Sequence, residues 1–212
     1  MDGMKRAVAA LAVLLLLAAC REAKSPADRR LDEIARVYRH GDTSQAVTQL
    51  KEFVRTYPTH DLGWTILGHA YEDLDQDRNA ADSYRRALAL NPKRAEAETG
   101  MGILARKRGD DEEAMRRYRH ATELNPKYAQ VWSSMAVLAL RRGEDKEALR
   151  YAEKAWELDD EDPAIAANLA IVYHYNGNTA KRDELTGKAK DLGYQKIDRL
   201  QEIYRGEMTI RK

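Results

Sequence analysis

The sequence has 212 residues, of which 33% are charged, with 36 lysines and arginines against 35 aspartates and glutamates. This near-neutral balance gives no support to a nucleic-acid or other polyanionic partner. The one cysteine excludes a disulfide within the chain, and the length is ample for one folded domain.

The amino terminus has the pattern of an export signal. A short basic head precedes a wholly apolar run at residues 7–19, which ends before charged residues. As a helix this run would be about 20 Å long, whereas the hydrocarbon core of a bilayer is roughly 30 Å thick. A cleaved signal peptide at residues 1–19 is therefore favoured over a retained spanning anchor.

The end of this segment, Leu17-Ala18-Ala19-Cys20, resembles a bacterial lipobox. The resemblance implies cleavage before Cys20, diacylglycerol on its sulfur and an acyl chain on its new amine. The alternative is an ordinary signal peptide with an incidental cysteine, which would leave an exported protein with a free thiol. Several acyl chains, at about 0.8 kcal/mol per buried methylene, would anchor the protein to a membrane.

The residue after this cysteine indicates the membrane in which the lipid-anchored protein is expected to reside. In lipoproteins of enteric-type bacteria an aspartate there favours retention in the inner membrane. Arg21 therefore implies the periplasmic face of the outer membrane. Residues 20–26 are read as the lipidated cysteine and a tether.

Residues 61–94 have the spacing of a helix hairpin. Small and large residues recur at helical spacing before a closing proline: Trp64, Leu67, Gly68 and Tyr71, then Ala80, Tyr84 and Ala87, then Pro92. The small residues let two helices approach closely, and the large ones contribute roughly 1.5–3 kcal/mol each when buried. These eight positions resemble the signature of the tetratricopeptide repeat, which implies an all-α solenoid of stacked hairpins.

The same spacing recurs along the chain. Pro58, Pro92 and Pro126 are 34 residues apart, and glycines or Asp75 occupy each expected hairpin turn. Counting in this register predicts five repeat units within residues 27–196: 27–60, 61–94, 95–128, 129–162 and 163–196.

The carboxyl-terminal end departs from the signature. Arg182 and Thr186 stand where the fifth unit should have a small and an aromatic residue, so its second helix is expected to pack loosely. Residues 197–204 carry one apolar stripe, which predicts a capping helix within 197–212. The last residues, 206–212, are expected to fray.

The resemblance implies a concave groove lined by the first helix of each hairpin. Carried over by register, the predicted partner-binding residues are Tyr38, Thr65, His69, Glu72, Asp73, Thr99, Ile103, Arg106, Lys107, Ser133, Val137, Leu140, Arg141, Ile171, His174 and Tyr175. An apolar middle with charged edges suits a protein or peptide ligand. Binding on the convex side, or self-association, stays open. Capture of a terminal carboxylate is not predicted, because Asn168 alone matches that pattern.

Motifs for chemistry are missing from the sequence. The five histidines are scattered without metal-ligand spacing, and no nucleophile elbow, phosphate loop or dinucleotide fingerprint occurs. No metal, cofactor or catalytic residue is predicted, and the protein is expected not to be an enzyme. The alternative from another class is an enzyme whose site the sequence does not reveal.

The resemblance to tetratricopeptide lipoproteins implies an adaptor that binds other proteins in the periplasm. Two known kinds share this plan. Pilotins assist assembly of the outer-membrane secretin of the type IV pilus, and other adaptors hold peptidoglycan-cleaving enzymes near the membrane. The pilotin reading is preferred, because a run of hairpins directly after a short tether resembles those proteins.

Overall fold

The computed structural model describes residues 24–211. The predicted signal peptide, Cys20 and the start of the tether lie outside that range. The described residues form eleven helices and no strand: α1 Pro26–Arg39, α2 Thr43–Thr56, α3 Asp61–Asp73, α4 Asp77–Leu90, α5 Ala95–Lys107, α6 Asp111–Leu124, α7 Ala129–Arg141, α8 Asp145–Leu158, α9 Pro163–Tyr175, α10 Thr179–Asp191 and α11 Ile197–Tyr204. Within residues 24–211, every helix is too short or too polar to cross a bilayer.

Local signals explain where the helices begin and end. The side chains of Asp42, Asp110 and Asn178 accept hydrogen bonds from backbone N–H groups in the first turns of α2, α6 and α10. The turn glycines have positive φ, and Asp75 takes the same left-handed conformation with a φ of 54°. The turn positions predicted from the sequence are therefore confirmed.

Helices pair within hairpins and the hairpins stack, so the predicted all-α solenoid of five hairpins with a capping helix is confirmed. The buried Tyr84 ring shows why small residues recur. It lies between Gly68 of α3 and Gly100 of α5, and a Cβ at either glycine would clash with it. Ala80 and Ala87 of α4 are fully buried at the same contact.

The expectation that the second helix of the last hairpin packs loosely is not confirmed, because α10 contacts α9 about as extensively as the paired helices of the second to fourth hairpins contact each other. Leu185 and Ala189 are the buried residues of α10. Arg182 and Thr186 face the capping helix α11. The Arg182 guanidinium lies 5.0 Å from the centre of the Tyr204 ring, and the hydroxyls of Thr186 and Tyr204 are 2.9 Å apart. Polar contacts between α10 and α11 thus accompany the apolar contacts of Leu185 and Ala189.

Residues 206–211, which are expected to fray, make specific contacts in the structure. The backbone N–H of Ile210 donates to the Tyr175 hydroxyl at 3.2 Å, and the Arg211 guanidinium binds Asp145. Met208 and Ile210 pack against the apolar cluster of the last two hairpins. We call residues 205–211 the tail.

Candidate partner-binding groove

The first helices of successive hairpins, α1, α3, α5, α7 and α9, contact one another and form one face of the stack. A cleft of about 650 Å³ lies between this face and the carboxyl-terminal segment. Ile103, Val137 and Ile171 contribute its apolar side from three units, and Leu200 and Ile203 of α11 face them. The cleft therefore joins the predicted groove to residues that the repeat register did not include.

Five of the predicted contact residues are buried, which corrects the expectation that they meet a partner: Thr65 and Thr99 at 1% exposed, Ser133 at 6%, Leu140 at 1% and Ile171 at 5%. The two threonine hydroxyls donate to the carbonyls of Asp61 and Ala95 in their own helices, each at 2.9 Å. Ser133 accepts from Asn168 of the next unit, and Leu140 belongs to the apolar cluster of the last hairpins.

Glu72, one of the predicted acidic residues of the groove, belongs to a hydrogen-bonded cluster with Tyr84 and His69. The hydroxyl of Tyr84 donates to Glu72 at 3.0 Å and lies 2.8 Å from Nδ1 of His69. Burial raises the pKa of Glu72 to about 7, although the tyrosine hydrogen bond opposes that shift, and burial lowers the pKa of His69. Both side chains are therefore held in forms with less charge than their types usually carry.

Asp73 and Tyr38 are joined at the amino-terminal edge of the face. The Tyr38 hydroxyl donates to the Asp73 carboxylate at 2.5 Å across neighbouring hairpins. Burial, together with this hydrogen bond, raises the pKa of the tyrosine. Tyr38 is one of the predicted partner-binding residues, but its hydroxyl already has a partner in the chain.

The predicted basic residues differ in their availability. Nζ of Lys107 is 2.9 Å from Asp75 and 2.6 Å from Asp77, so this side chain ties α5 to the turn between α3 and α4. Arg141 donates to the carbonyl of Arg106 at 3.2 Å. Arg106 lines the cleft, and its side chain also lies beside the buried Tyr118 hydroxyl.

His174 and Tyr175, predicted at the carboxyl-terminal end of the groove, are packed by residues of the same chain. The His174 ring is 5.0 Å from the ring of Tyr204 in α11. The Arg211 guanidinium lies 4.6 Å above the Tyr175 ring. The tail residues at this contact were missed by sequence reasoning, because they lie outside the repeat register.

The described residues contain no group of three or more histidines, cysteines, aspartates or glutamates arranged to hold a metal ion. The polar side chains of the cleft offer charge and hydrogen bonds to a ligand. The arrangement is therefore suited to recognition of a polypeptide segment that carries both apolar and charged side chains.

Comparison of the sequence with models of known protein families gives matches to one kind of repeat. Two family models described as tetratricopeptide repeat match residues 12–60 and 78–138, which together make up about half of the chain. No curated protein sequence matches the chain.

Solved structures of several proteins share the fold. A thermophilic TPR protein from Thermus thermophilus has 21% identity and a TM-score of 0.68, covering 85% of this chain and 97% of its own. The pilF protein of Pseudomonas aeruginosa has 20% identity and a TM-score of 0.61, covering 85% of each chain. A tetratricopeptide repeat protein from Parabacteroides merdae has 19% identity and a TM-score of 0.67, covering 82% of this chain and 69% of its own.

Proposed function

Because this chain is a tetratricopeptide-repeat protein, we propose that it is a non-enzymatic adaptor that binds a segment of a partner protein in its concave groove. The observation that carries the proposal is the cleft of about 650 Å³ on the face formed by the first helices. Its apolar side, with Arg106 at the edge, suits an apolar residue flanked by an acidic one.

The position of Arg106 supports binding near the middle of the groove. Its side chain lines the cleft, and a guanidinium pairs well with a carboxylate from a partner. The neighbouring Ile103 is half-buried and faces the same cleft, so one partner segment can contact both side chains.

Cross-linking in the native cell envelope tests the groove. A photoreactive residue at Ile103 or Arg106 is expected to capture a partner, whereas the same residue at Arg119, exposed on the second helix α6, is expected to capture none. Capture from Arg119 alone would contradict groove binding. Leu140 is unsuitable as a cross-linking position, because its side chain is buried.

We further propose that the adaptor is anchored through lipid on Cys20 at the periplasmic face of the outer membrane. The lipobox-like Leu17-Ala18-Ala19-Cys20 and the following Arg21 support this location. Cys20→Ser is expected to leave the repeats folded and to release them from membranes on fractionation, with Ser25→Ala as the control. A membrane-bound Cys20→Ser protein would contradict lipid anchoring.

For the pathway we propose a pilotin-type role in assembly of a type IV pilus secretin. The shared plan of signal, tether and hairpins supports it, as does the fold shared with pilF of Pseudomonas aeruginosa. Deletion of the gene is then expected to reduce secretin multimers. Altered cell-wall cleavage with normal multimers would instead favour the second candidate, an adaptor for peptidoglycan hydrolases.

A further inference from the structure

A series of ion pairs links consecutive hairpins. The second helices α4, α6 and α8 begin with Asp77, Asp111 and Asp145, spaced 34 residues apart. A cation at the end of the following unit's first helix approaches the first two. Nζ of Lys107 lies 2.6 Å from Asp77, and Nε of Arg141 lies 3.8 Å from Asp111.

The third position in this series lacks its cation within the repeats. The residue 34 positions after Arg141 is Tyr175, which has no positive charge to offer Asp145. Arg211 of the tail supplies it. Its Nη2 lies 2.6 and 2.7 Å from the two carboxylate oxygens of Asp145.

The Tyr175 side chain also helps to hold the tail. Its ring lies under the Arg211 guanidinium at 4.6 Å, and its hydroxyl accepts from the backbone N–H of Ile210 at 3.2 Å. A carboxylate beside an aromatic face is a recurrent way to bind a guanidinium. Asp145 and Tyr175 together therefore have the chemistry of an arginine-binding subsite.

The tail is held by contacts that are partly exposed. It follows α11 without regular secondary structure, and the paired side chains of Arg211 and Asp145 remain 38% and 34% exposed. Partly exposed contacts of a segment without regular secondary structure open at a smaller free-energy cost than packed helices do. The short connection to α11 gives the tail a high effective concentration, on the order of millimolar, so that it refills the subsite readily.

The subsite is continuous with the groove. Met208, Thr209, Ile210 and Arg211 line the same cleft as Ile103 and Arg106. Opening of the tail would therefore extend the groove to Asp145 and Tyr175, where a segment lying along the cleft could reach them.

We propose that Asp145 and Tyr175 form an arginine-binding subsite of the groove, which Ile210 and Arg211 fill in the free protein and which a partner's apolar-arginine segment takes over. This inference rests on the proposed adaptor function. The tail's own sequence indicates the partner chemistry, an extended segment with an apolar residue directly before an arginine.

Binding of a labelled peptide tests the inference. The probe is GEMTIRK, the sequence of residues 206–212, measured by fluorescence anisotropy against the full chain. The test variant carries Ile210→Asp and Arg211→Glu, which loosen the tail without altering the subsite. The matched control carries Arg205→Ala and Glu207→Ala, which pair with each other near the start of the tail.

The loosened variant is expected to bind GEMTIRK at least tenfold more tightly than the unaltered chain or the control. Adding Asp145→Asn to it should weaken binding at least tenfold, as should replacing the peptide by GEMTIEK. Equal binding by the unaltered chain would show that the tail does not hold the subsite. Failure of a natively folded loosened variant to bind would overturn the subsite itself.

A second measurement does not depend on the folding of the loosened variant. Asp145→Asn alone, in the full chain, should speed hydrogen exchange at the Ile210 amide at least tenfold, and an unchanged rate would overturn tail retention. Capture of a partner from Arg106 without binding of GEMTIRK to the loosened variant would reject the subsite and leave the adaptor function standing. Binding of GEMTIRK without capture from the groove would reject the adaptor function instead.

Discussion

The concave face has an open part at the second to fourth hairpins and a covered part at the fifth. Ile103, Val137 and Ile171 occupy the same register position in three successive units. The first two are half-buried, whereas Ile171 is 5% exposed. The register therefore sets the side of the helix on which a residue lies, and the packing at the end of the stack sets its accessibility.

The largest expected effect comes from a substitution that disrupts the second hairpin, in the open part of the face. Ala87→Glu should lower the free energy of unfolding by more than about 2 kcal/mol, because it places a charge at a fully buried helix contact. Ala89→Glu, at an exposed position of the same helix, should change it by less than about 0.5 kcal/mol. Urea unfolding measures both, and equal effects would contradict the assigned contact.

A smaller effect is expected from uncovering the other part. Leu200→Ala should cost about 2 kcal/mol, since Leu200 of α11 is buried against the last hairpins. Hydrogen exchange should become faster in α9 to α11 and stay unchanged in α3 to α5. Gln201→Ala, an exposed neighbour, serves as control, and faster exchange throughout the chain would contradict a local cover.

The third prediction concerns Glu72, in the open part of the face, and the pH dependence of the free energy of unfolding. Its pKa rises to about 7 in the fold from an ordinary 4.5, so the proton that it retains stabilises the fold below that range, and this contribution is lost as the pH rises from about 4.5 to 7. Because glutamine does not titrate, the Glu72→Gln variant lacks this decrease in stability with rising pH. From pH 5 to pH 8 its stability relative to the unaltered chain should increase by on the order of 1 kcal/mol.

The difference between the two proteins is the quantity to measure. The lowered pKa of the buried His69 has the opposite sign, because its contribution is lost as the pH falls. Comparing the variant with the unaltered chain by urea unfolding at each pH removes the part of the His69 contribution that does not depend on Glu72. Glu52→Gln, exposed on α2, is the control, and a difference that does not vary with pH would contradict a buried, neutral Glu72.

The smallest expected effect concerns the turn between α3 and α4. Asp75→Gly should raise stability by a few tenths of a kcal/mol, because glycine adopts the positive φ of 54° without strain but loses more entropy on folding. The gain is small also because Lys107 loses one of its two acceptors. Asp82→Gly inside α4 should instead cost about 1 kcal/mol, and a loss at both sites would contradict the prediction.

The fold could be predicted from the sequence because its signals are local and periodic. Each proline at 58, 92 and 126 follows a helix end by two residues, and the turn glycines have the left-handed geometry that their positions require. The small residues were also informative, since the Tyr84 ring leaves no room for a Cβ at Gly68. Such signals depend on neighbours within one unit or the next.

The groove residues that are open to a partner were less predictable than the fold. The exposure of a side chain also depends on contacts with residues outside the repeat register. Thr65 and Thr99 lie on helices of the groove face, but each is short enough to bond its own helix and to be covered. The pair of Asp145 and Arg211 joins residues 66 apart in sequence with one member outside the repeats. A sequence signal existed, since aspartates recur at 77, 111 and 145 while the matching cation is missing at 175.

The ion pair of Arg211 has a practical consequence for handling the protein. The guanidinium that completes the series of ion pairs comes from Arg211, which follows α11 and lies outside the repeats. An affinity tag or fluorescent fusion appended after Lys212 would begin one residue from it and would crowd or compete for Asp145. Pull-down and imaging results obtained with such a label would then describe an altered molecule, and labels at internal exposed loops are the safer choice.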